Sequence, residues 1–101
     1  MREFLRGAVR LHILHHAAHG PIHGAWMTAE LAEHGYRISP GSLYPTLHKM
    51  EAEGLITSRP QVVGGRARRS YEATAKGRRT LEAAKEQLRE LAAELLGEVV
   101  P

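Results

Sequence analysis

The chain has 101 residues, 43% of them hydrophobic and 25% charged, with a net charge of +3, which is the composition of one folded domain and excludes a largely disordered chain. Because it contains no cysteine, disulfides, thiolate metal sites and thiol nucleophiles are excluded. No apolar run approaches the roughly 20 residues of a membrane span, and the N-terminus lacks the pattern of a signal peptide, so we expect a cytoplasmic protein without a membrane partner.

The first two predicted elements are helices. Residues 2–19 contain no proline and end at Gly20-Pro21, a pair that stops helices, so they predict helix one. Residues 25–34 predict a short second helix that ends at Gly35 as its left-handed C-cap. The side chains expected to face inward from this helix are Trp26, Ala29 and either Leu31 or Ala32.

The third helix has the clearest end signals. Ser39 stands at the N-cap, Pro40 at the first helical position and Gly54 just past the end, each a residue type that is preferred there. Apolar residues at helical spacing predict its buried face, with Leu55 placed to close the C-terminal end. This face consists of Leu43, Leu47 and Met50.

Two strand-like runs then predict a β-hairpin. Residues 55–63 and 67–73 are joined through Gly64-Gly65, a pair that tolerates the positive φ angles of a tight turn. Seven of the 14 lysines and arginines lie between Arg59 and Arg79, against one acid, Glu72. Such a basic segment is typical of a phosphate-binding surface, although a solvated charged face has the same composition.

A last helix is predicted from the N-cap Thr74 to about Leu96. Its apolar residues alternate in steps of three and four, which creates one long seam. We expect the seam to pair with a second copy of the chain; packing against its own domain is the alternative. The predicted dimer interface is Leu81, Ala84, Leu88, Leu91, Ala92 and Leu95, widened by Leu96 and Val99.

This order of elements predicts a mainly α fold with a small β-hairpin, the winged helix-turn-helix with a long C-terminal dimerisation helix. Residues 1–73 form the DNA-binding part, with the wing over 55–73, and residues 74–101 form the dimerisation helix of the same compact unit. In this architecture helix three enters the major groove and the wing follows the flanking backbone. We expect a homodimer that binds double-stranded DNA rather than an enzyme, since no catalytic triad, paired inward carboxylates or phosphate loop is visible.

The predicted DNA-binding residues combine small polar, hydroxyl and basic side chains, which suit phosphates and base edges. Each has a structural alternative. Ser39 can simply start the helix, Tyr44 can cover the core, and the arginines can form a charged strand edge that discourages pairing. A winged helix that docks its arginines on an acidic protein surface is the rival function. The DNA-binding set is Ser39, Gly41, Ser42, Tyr44, Thr46, His48, Lys49, Arg66, Arg68 and Arg69.

Three stretches of the sequence resemble the PadR family of transcriptional regulators. ISPGSLYPTLHKMEAEGLI (38–56) is similar to the family's helix-three signature, GPIHG (20–24) to its turn before helix two, and GGRARRSYEATAKGRRTL (64–81) to its wing and the start of its last helix. The resemblance implies a homodimeric repressor of the short branch, with a single C-terminal helix that crosses to the other subunit. It places Ser42, Tyr44 and Pro45 on the DNA-facing helix and gives His23 a structural role in the turn.

From this resemblance we expect repression at a palindromic operator, relieved when an effector alters the spacing of the two wings. Short-branch relatives enclose a pore for flat hydrophobic ligands between helices one and four of both subunits. The residues that we place near it are Phe4, Ala8, His12, Leu88 and Leu91, with Leu95 alongside. Since helix four carries no aromatic residue, an effector here either differs from stacked aromatic drugs or is absent.

Four histidines crowd helix one: His12, His15, His16 and His19. Pairs at i and i+4 on one helical face can chelate zinc, nickel or copper. The alternative is a set of neutral imidazoles bonded to carbonyls or water. We expect no required cofactor, and a transition metal or a proton as an optional ligand of these side chains.

Overall fold

The structure is a computed structural model that describes residues 1–97. Its elements, in chain order, are α1 (Arg2–Ala18), α2 (Gly24–Glu33), α3 (Pro40–Ala52), β1 (Ile56–Val63), β2 (Arg66–Ala73) and α4 (Ala75–Leu96). The two strands pair antiparallel, which confirms the predicted fold of helices with one small hairpin. No helix in this part of the chain is long and apolar enough to cross a membrane. Val99 and the other residues after 97 lie outside the described residues.

The helices and the base of the hairpin enclose one hydrophobic core. The three apolar residues predicted to face inward from α3 are fully buried, and α1 contributes the segment around Ile13. One polar residue, Ser70, is buried beside them. The core consists of Ile13, Leu14, Ala17, Ile22, Met27, Leu31, Leu43, Leu47, Met50, Leu55, Ile56, Tyr71 and Leu81.

The buried face of α2 differs from the predicted one. Trp26 is 47% exposed and Ala29 is exposed as well, so the prediction that these two face inward is wrong. Of the alternatives Leu31 and Ala32, Leu31 is the buried one. The indole of Trp26 instead lies edge-on to the imidazole of His16, with ring centres 5.1 Å apart. The residues that α2 buries are Gly24, Met27 and Leu31.

Glycines end α2 and α3 in the left-handed conformation. Gly35 and Gly54 have φ angles of 87° and 78°, as predicted for a left-handed C-cap at Gly35. After α3, the Leu55 amide donates to the Met50 carbonyl at 3.0 Å and the Gly54 amide to the Glu51 carbonyl at 2.9 Å. This is the Schellman arrangement, and it turns the chain directly from α3 into β1.

The hairpin has the turn that its sequence predicts. Gly64 and Gly65 have φ angles of 59° and 78°, the two positive values of a type I′ turn. β2 begins at Arg66, one residue earlier than expected. Arg66, Arg68 and Arg69 are therefore held on a regular strand.

The base of this wing is tied to the segment that precedes α2. The backbone amides and carbonyls of Ile22 and Tyr71 exchange two hydrogen bonds of 2.9 Å, so residue 22 extends the sheet as an isolated bridge. The side chains of both residues are buried. The wing is consequently fixed to the helical core and does not depend on its connection to α3 alone.

The final helix begins and ends as predicted. The Thr74 hydroxyl accepts a hydrogen bond from the Gly77 amide at 3.0 Å, and the helix ends at Leu96. Leu81 lies in the core of its own chain and is only 7% exposed, which leaves little of its side chain for the predicted dimer interface. Further along the helix the apolar side chains are exposed to solvent: Leu88, Leu91 and Leu95 are 52%, 45% and 71% exposed.

Gly77 lets the first turn of α4 lie against the wing base. A Cβ at this position would collide with the Leu55 carbonyl and lie 3.1 Å from Cδ1 of Leu14. Because both neighbours are packed, we expect Gly77→Ala to lower the free energy of unfolding by about 2 kcal/mol, although alanine favours helices. Gly41→Ala is the control, since a Cβ there would make an ordinary 3.7 Å contact. Urea unfolding measures both variants, and equal midpoints would contradict this prediction.

Candidate nucleic-acid interface

The exposed face of α3 carries most of the residues predicted to meet DNA. Its apolar residues are buried on the opposite side, so seven predicted residues are exposed and Thr46 is half-buried. The seven are Ser39, Gly41, Ser42, Tyr44, Pro45, His48 and Lys49. This arrangement is the one expected of a helix that enters the major groove.

Three of the predicted polar residues interact with one another at the start of α3. Ser39 occupies the N-cap position without accepting a backbone amide, and its hydroxyl lies 3.4 Å from that of Ser42. The Thr46 hydroxyl donates to the Ser42 carbonyl at 3.0 Å. The hydroxyls of Ser39 and Ser42 therefore lie at the open end of the helix, whereas the donor of Thr46 is already satisfied.

A concave surface of about 440 Å³ lies between the start of α2, the outer face of α3 and β2. We call it the wing groove; it is lined by His23, Gly24, Ala25, Tyr44, His48, Arg66, Ala67, Arg68, Arg69 and Tyr71. It brings the three predicted wing arginines together with Tyr44 and His48. None of these lining residues is a carboxylate, so in the described part of the chain the groove carries only positive formal charge.

Gly24 sets the position of the Tyr44 ring. A Cβ on Gly24 would lie 2.5 Å from the tyrosine hydroxyl, so only glycine lets the ring pack on the start of α2. Tyr44 nevertheless stays 40% exposed. The structural alternative, a tyrosine that covers the core, is therefore only partly correct, because one side of the ring packs and the other borders the wing groove.

Arg69 is held by residues from three elements. Its Nε donates to the Ser58 hydroxyl at 3.1 Å, and both the amide and the hydroxyl of Ser58 donate to the Glu51 carboxylate, at 3.0 and 2.9 Å. Its backbone carbonyl lies 3.2 Å from Nδ1 of His23. This network links α3, both strands and the start of α2, so Arg69 positions the wing in addition to supplying charge.

Sequence reasoning did not identify Glu51 and Ser58 as part of the interface. The two residues are seven apart and belong to different elements, so no helical or strand periodicity relates them. A usable signal was the pair of polar residues that flanks the predicted α3–β1 turn. By contrast, Arg66 and Arg68 form no ion pair within residues 1–97, which leaves them free for phosphates.

A second and larger concavity lies between α1 and α4. This α1–α4 groove has a volume of about 590 Å³ and is mainly apolar. It is lined by all five residues predicted for an effector pocket, Phe4, Ala8, His12, Leu88 and Leu91, and by Glu3, Gly7, Leu11, His15, Tyr36, Leu81, Ala84, Lys85 and Gln87. Leu88 and Leu91 form part of its α4 wall, whereas Leu95, which we placed alongside the pocket, does not line it.

The four histidines predicted for helix one have different neighbours. His12 stacks on His34, the C-cap of α2, with ring centres 4.9 Å apart. The ring centre of His15 lies 4.5 Å from that of His19, the C-cap of α1, and 5.0 Å from that of His16. His16 faces Glu30, 3.5 Å away. Within residues 1–97 no three His, Asp or Glu side chains lie close enough together to hold a metal ion. A transition-metal site at these histidines stays a prediction.

Burial lowers the pKa of His12 and of His15. For His12 the nearby imidazoles of His34 and His16 lower the pKa further, against an opposing effect of Glu30. For His15 the additional causes are the positive charges of His19, His16, Lys85 and His12. Both histidines border the α1–α4 groove, so protonation would place charge in an apolar concavity.

Acidification is therefore expected to destabilise the fold. Because the folded pKa of His12 and His15 is depressed below the unfolded value of about 6.5, the unfolded chain takes up protons first and stability falls as the pH drops below that value. We expect a lower unfolding temperature at about pH 5.5 than at about pH 7.5, and a smaller difference in a His12→Gln/His15→Gln variant. His48→Gln on the exposed face of α3 is the control. A midpoint that rises on acidification would refute this assignment.

Comparison with known proteins identifies the family. Residues 13–83 match the model of the transcriptional regulator PadR-like family. The chain is 63% identical over 97 residues to transcriptional regulator Rv3488 of Mycobacterium tuberculosis, an alignment that covers 96% of this chain and 91% of that protein. A PadR-like transcriptional regulator of Bacillus cereus is similar in structure, with a TM-score of 0.85, 28% identity and 94% of each chain covered.

Bacillus subtilis PadR, solved in complex with operator DNA, is also similar, with a TM-score of 0.68 and 25% identity over 75% of this chain and 45% of that one. The residues matched by the family include α2, α3 and both strands, and with them the whole wing groove. The chain therefore belongs to the PadR-like family of transcriptional regulators.

Proposed function

We propose that this regulator binds double-stranded DNA as a homodimer, recognises a palindromic operator and represses transcription until an effector relieves it. The observation that carries the proposal is the wing groove, in which Arg66, Arg68, Arg69 and His48 surround a concavity without a carboxylate. DNA offers the complementary surface, a row of phosphates beside a groove that admits one helix.

Within this proposal α3 and the wing divide the contacts. The exposed face of α3 reads the major groove, with Tyr44 and the serine hydroxyls of its first turn nearest to the bases. Arg66 and Arg68 bind phosphates of the flanking DNA, because their guanidinium groups form no ion pair within residues 1–97. Phosphate contacts position the protein and base contacts specify the sequence.

The proposed partner of α4 is a second copy of the chain. Leu88, Leu91 and Leu95 are each at least 45% exposed. Phe4 of α1 lines the same α1–α4 groove as Leu88 and Leu91 and is 53% exposed. A domain of this size gains stability when such a seam is buried. A two-fold dimer presents two copies of α3, which is why the operator is expected to be palindromic.

An effector would act through the α1–α4 groove, which a dimer converts into a shared cavity. A small hydrophobic molecule fits the apolar wall of leucines, while His12 and His15 supply polar partners. The function needs no cofactor and no catalytic group. A cytoplasmic location follows if the protein acts on genomic DNA.

Selection from a pool of random duplexes tests this function. The purified protein should enrich an inverted repeat, protect both half-sites in a footprint, and lower expression of a reporter placed behind that sequence. Binding should persist at about 150 mM salt and weaken steeply as salt rises. Polyglutamate serves as a model of an acidic protein surface. If no duplex is enriched while the protein binds polyglutamate, the wing docks on an acidic protein surface and the proposal fails.

A further inference from the structure

We propose that His23 is a phosphate-binding residue of the DNA interface and that its contact with DNA takes up one proton. This inference rests on the proposed function, because it assigns a further contact and a pH dependence to the same site. The sequence analysis gave His23 only a structural role in the turn before α2. That structural role is consistent with the bond between Nδ1 and the Arg69 carbonyl. The proposed phosphate contact uses Nε2, on the other side of the ring.

The first step is the position of the ring. His23 occupies the N-cap of α2, directly after the backbone bridge between Ile22 and Tyr71. Its side chain borders the wing groove together with the three arginines. The imidazole is partly buried, so it is held in place and still borders the open groove.

The second step is the location of its proton. The ring's one hydrogen bond among residues 1–97 joins Nδ1 to the Arg69 carbonyl, 3.2 Å away. A carbonyl only accepts hydrogen bonds, so the proton of the neutral ring must lie on Nδ1. Nε2 then carries a lone pair, which repels a phosphate oxygen. The ring donates from Nε2 only after it takes up a second proton and becomes an imidazolium.

The third step is the charge around the ring. The titratable and charged groups that share the wing groove with His23 are Tyr44, His48, Arg66, Arg68, Arg69 and Tyr71. The carboxylate of Glu51 accepts hydrogen bonds from Ser58, whose hydroxyl accepts one from Arg69. Within the described residues, therefore, no acid lines the groove as a partner for an imidazolium at position 23. A DNA phosphate supplies that partner and favours the charged form.

Proton uptake and DNA binding are then linked. Each reaction favours the other, so affinity should fall as the pH rises through the range in which imidazoles lose their charge, between about 5 and 8. One proton per contact limits the effect to about tenfold per pH unit for each subunit. Arginine contacts in the same groove do not change over this range.

Two substitutions, His23→Asn and His23→Gln, distinguish the contact made by Nδ1 from the contact made by Nε2. The amide nitrogen of asparagine can replace Nδ1–H and keep the bond to Arg69, but it does not reach the position of Nε2. The amide nitrogen of glutamine reaches that position as an uncharged donor. The parent protein for both variants is His48→Gln, which removes the other imidazole of the groove.

The probe is a random-sequence duplex of about 30 base pairs, titrated at about pH 6 and pH 8 at several salt concentrations. Relative to the parent, His23→Asn should bind roughly tenfold more weakly at pH 6 and equally at pH 8. At pH 6 its salt dependence should also be less steep by about one unit. His23→Gln should retain part of the contact at both pH values and lose the pH dependence.

The outcomes separate this inference from the proposed function. Two results would show that His23 is only structural and that the inference is wrong. In the first, His23→Asn binds DNA with the same affinity as the parent at both pH values. In the second, its affinity is reduced equally at both pH values and its unfolding temperature is lower. If the parent and the wild type fail to bind the duplex at any pH, the proposed function itself fails.

Discussion

Leu88→Glu is expected to convert a dimer into monomers that keep their fold. Leu88 is already 52% exposed in the single chain, so the substitution opens no cavity in the core. In the proposed dimer, burial of the exposed half of this side chain contributes about 1 kcal/mol, and the two-fold axis doubles the loss because both subunits carry the substitution. About 2 kcal/mol corresponds to a rise in the dimer dissociation constant of roughly thirtyfold, and the burial of a carboxylate adds to it.

Analytical ultracentrifugation over a range of concentrations measures the effect, with circular dichroism as the check on folding. Ala93→Glu is the matched control, because it adds the same charge to α4 at an exposed position about 160° around the helix from the leucine seam. It should remain dimeric. A wild-type protein that sediments as a monomer at micromolar concentration would contradict the proposed assembly.

Loss of DNA binding is the second large effect. Because binding should require both α3 and the wing, substitutions on either element should weaken it, in distinguishable ways. Tyr44→Ala is expected to weaken binding to a selected operator by about a hundredfold and to random DNA much less, because it lies on the helix that reads bases. Arg68→Ala should weaken both duplexes equally and reduce the salt slope by about one unit. Arg69→Ala should have a larger effect than Arg68→Ala, since its guanidinium also binds Ser58.

Fluorescence anisotropy with operator and random duplexes at several salt concentrations separates these losses. Arg79→Ala removes an exposed cation from α4, outside the wing groove, and serves as the control with nearly unchanged binding. The assignment of the DNA-binding face would be refuted if the triple variant Tyr44→Ala/Arg68→Ala/Arg69→Ala folded and kept wild-type affinity.

The ends of the elements were predictable because local chemistry determines them. Gly35, Gly54 and the Gly64-Gly65 pair adopt positive φ angles, and Thr74 caps α4 through its own hydroxyl. Each of these signals depends on a few neighbouring residues and needs no knowledge of the tertiary structure. The fold class followed from the order of the elements that these signals separate.

The buried face of α2 was not predictable in the same way. Trp26 and Met27 are adjacent and both apolar, so the periodicity of a ten-residue helix allows either to face inward. The choice depends on the space left by α1 and α3, which accepts the flexible methionine and leaves the indole against His16. The network of Glu51, Ser58 and Arg69 depends likewise on how α3 and the hairpin meet.

The bridge between Ile22 and Tyr71 bears on how such regulators diverge. Both of its hydrogen bonds join backbone atoms, so the wing is attached whatever side chains its outer strand positions carry. Substitutions among Arg66, Arg68 and their neighbours can therefore change how strongly the wing binds phosphates without displacing the strand that carries them. Proline at either end of the bridge removes a backbone donor, so this attachment should not tolerate it. Related proteins can in this way adjust their overall affinity for DNA on an unchanged wing backbone.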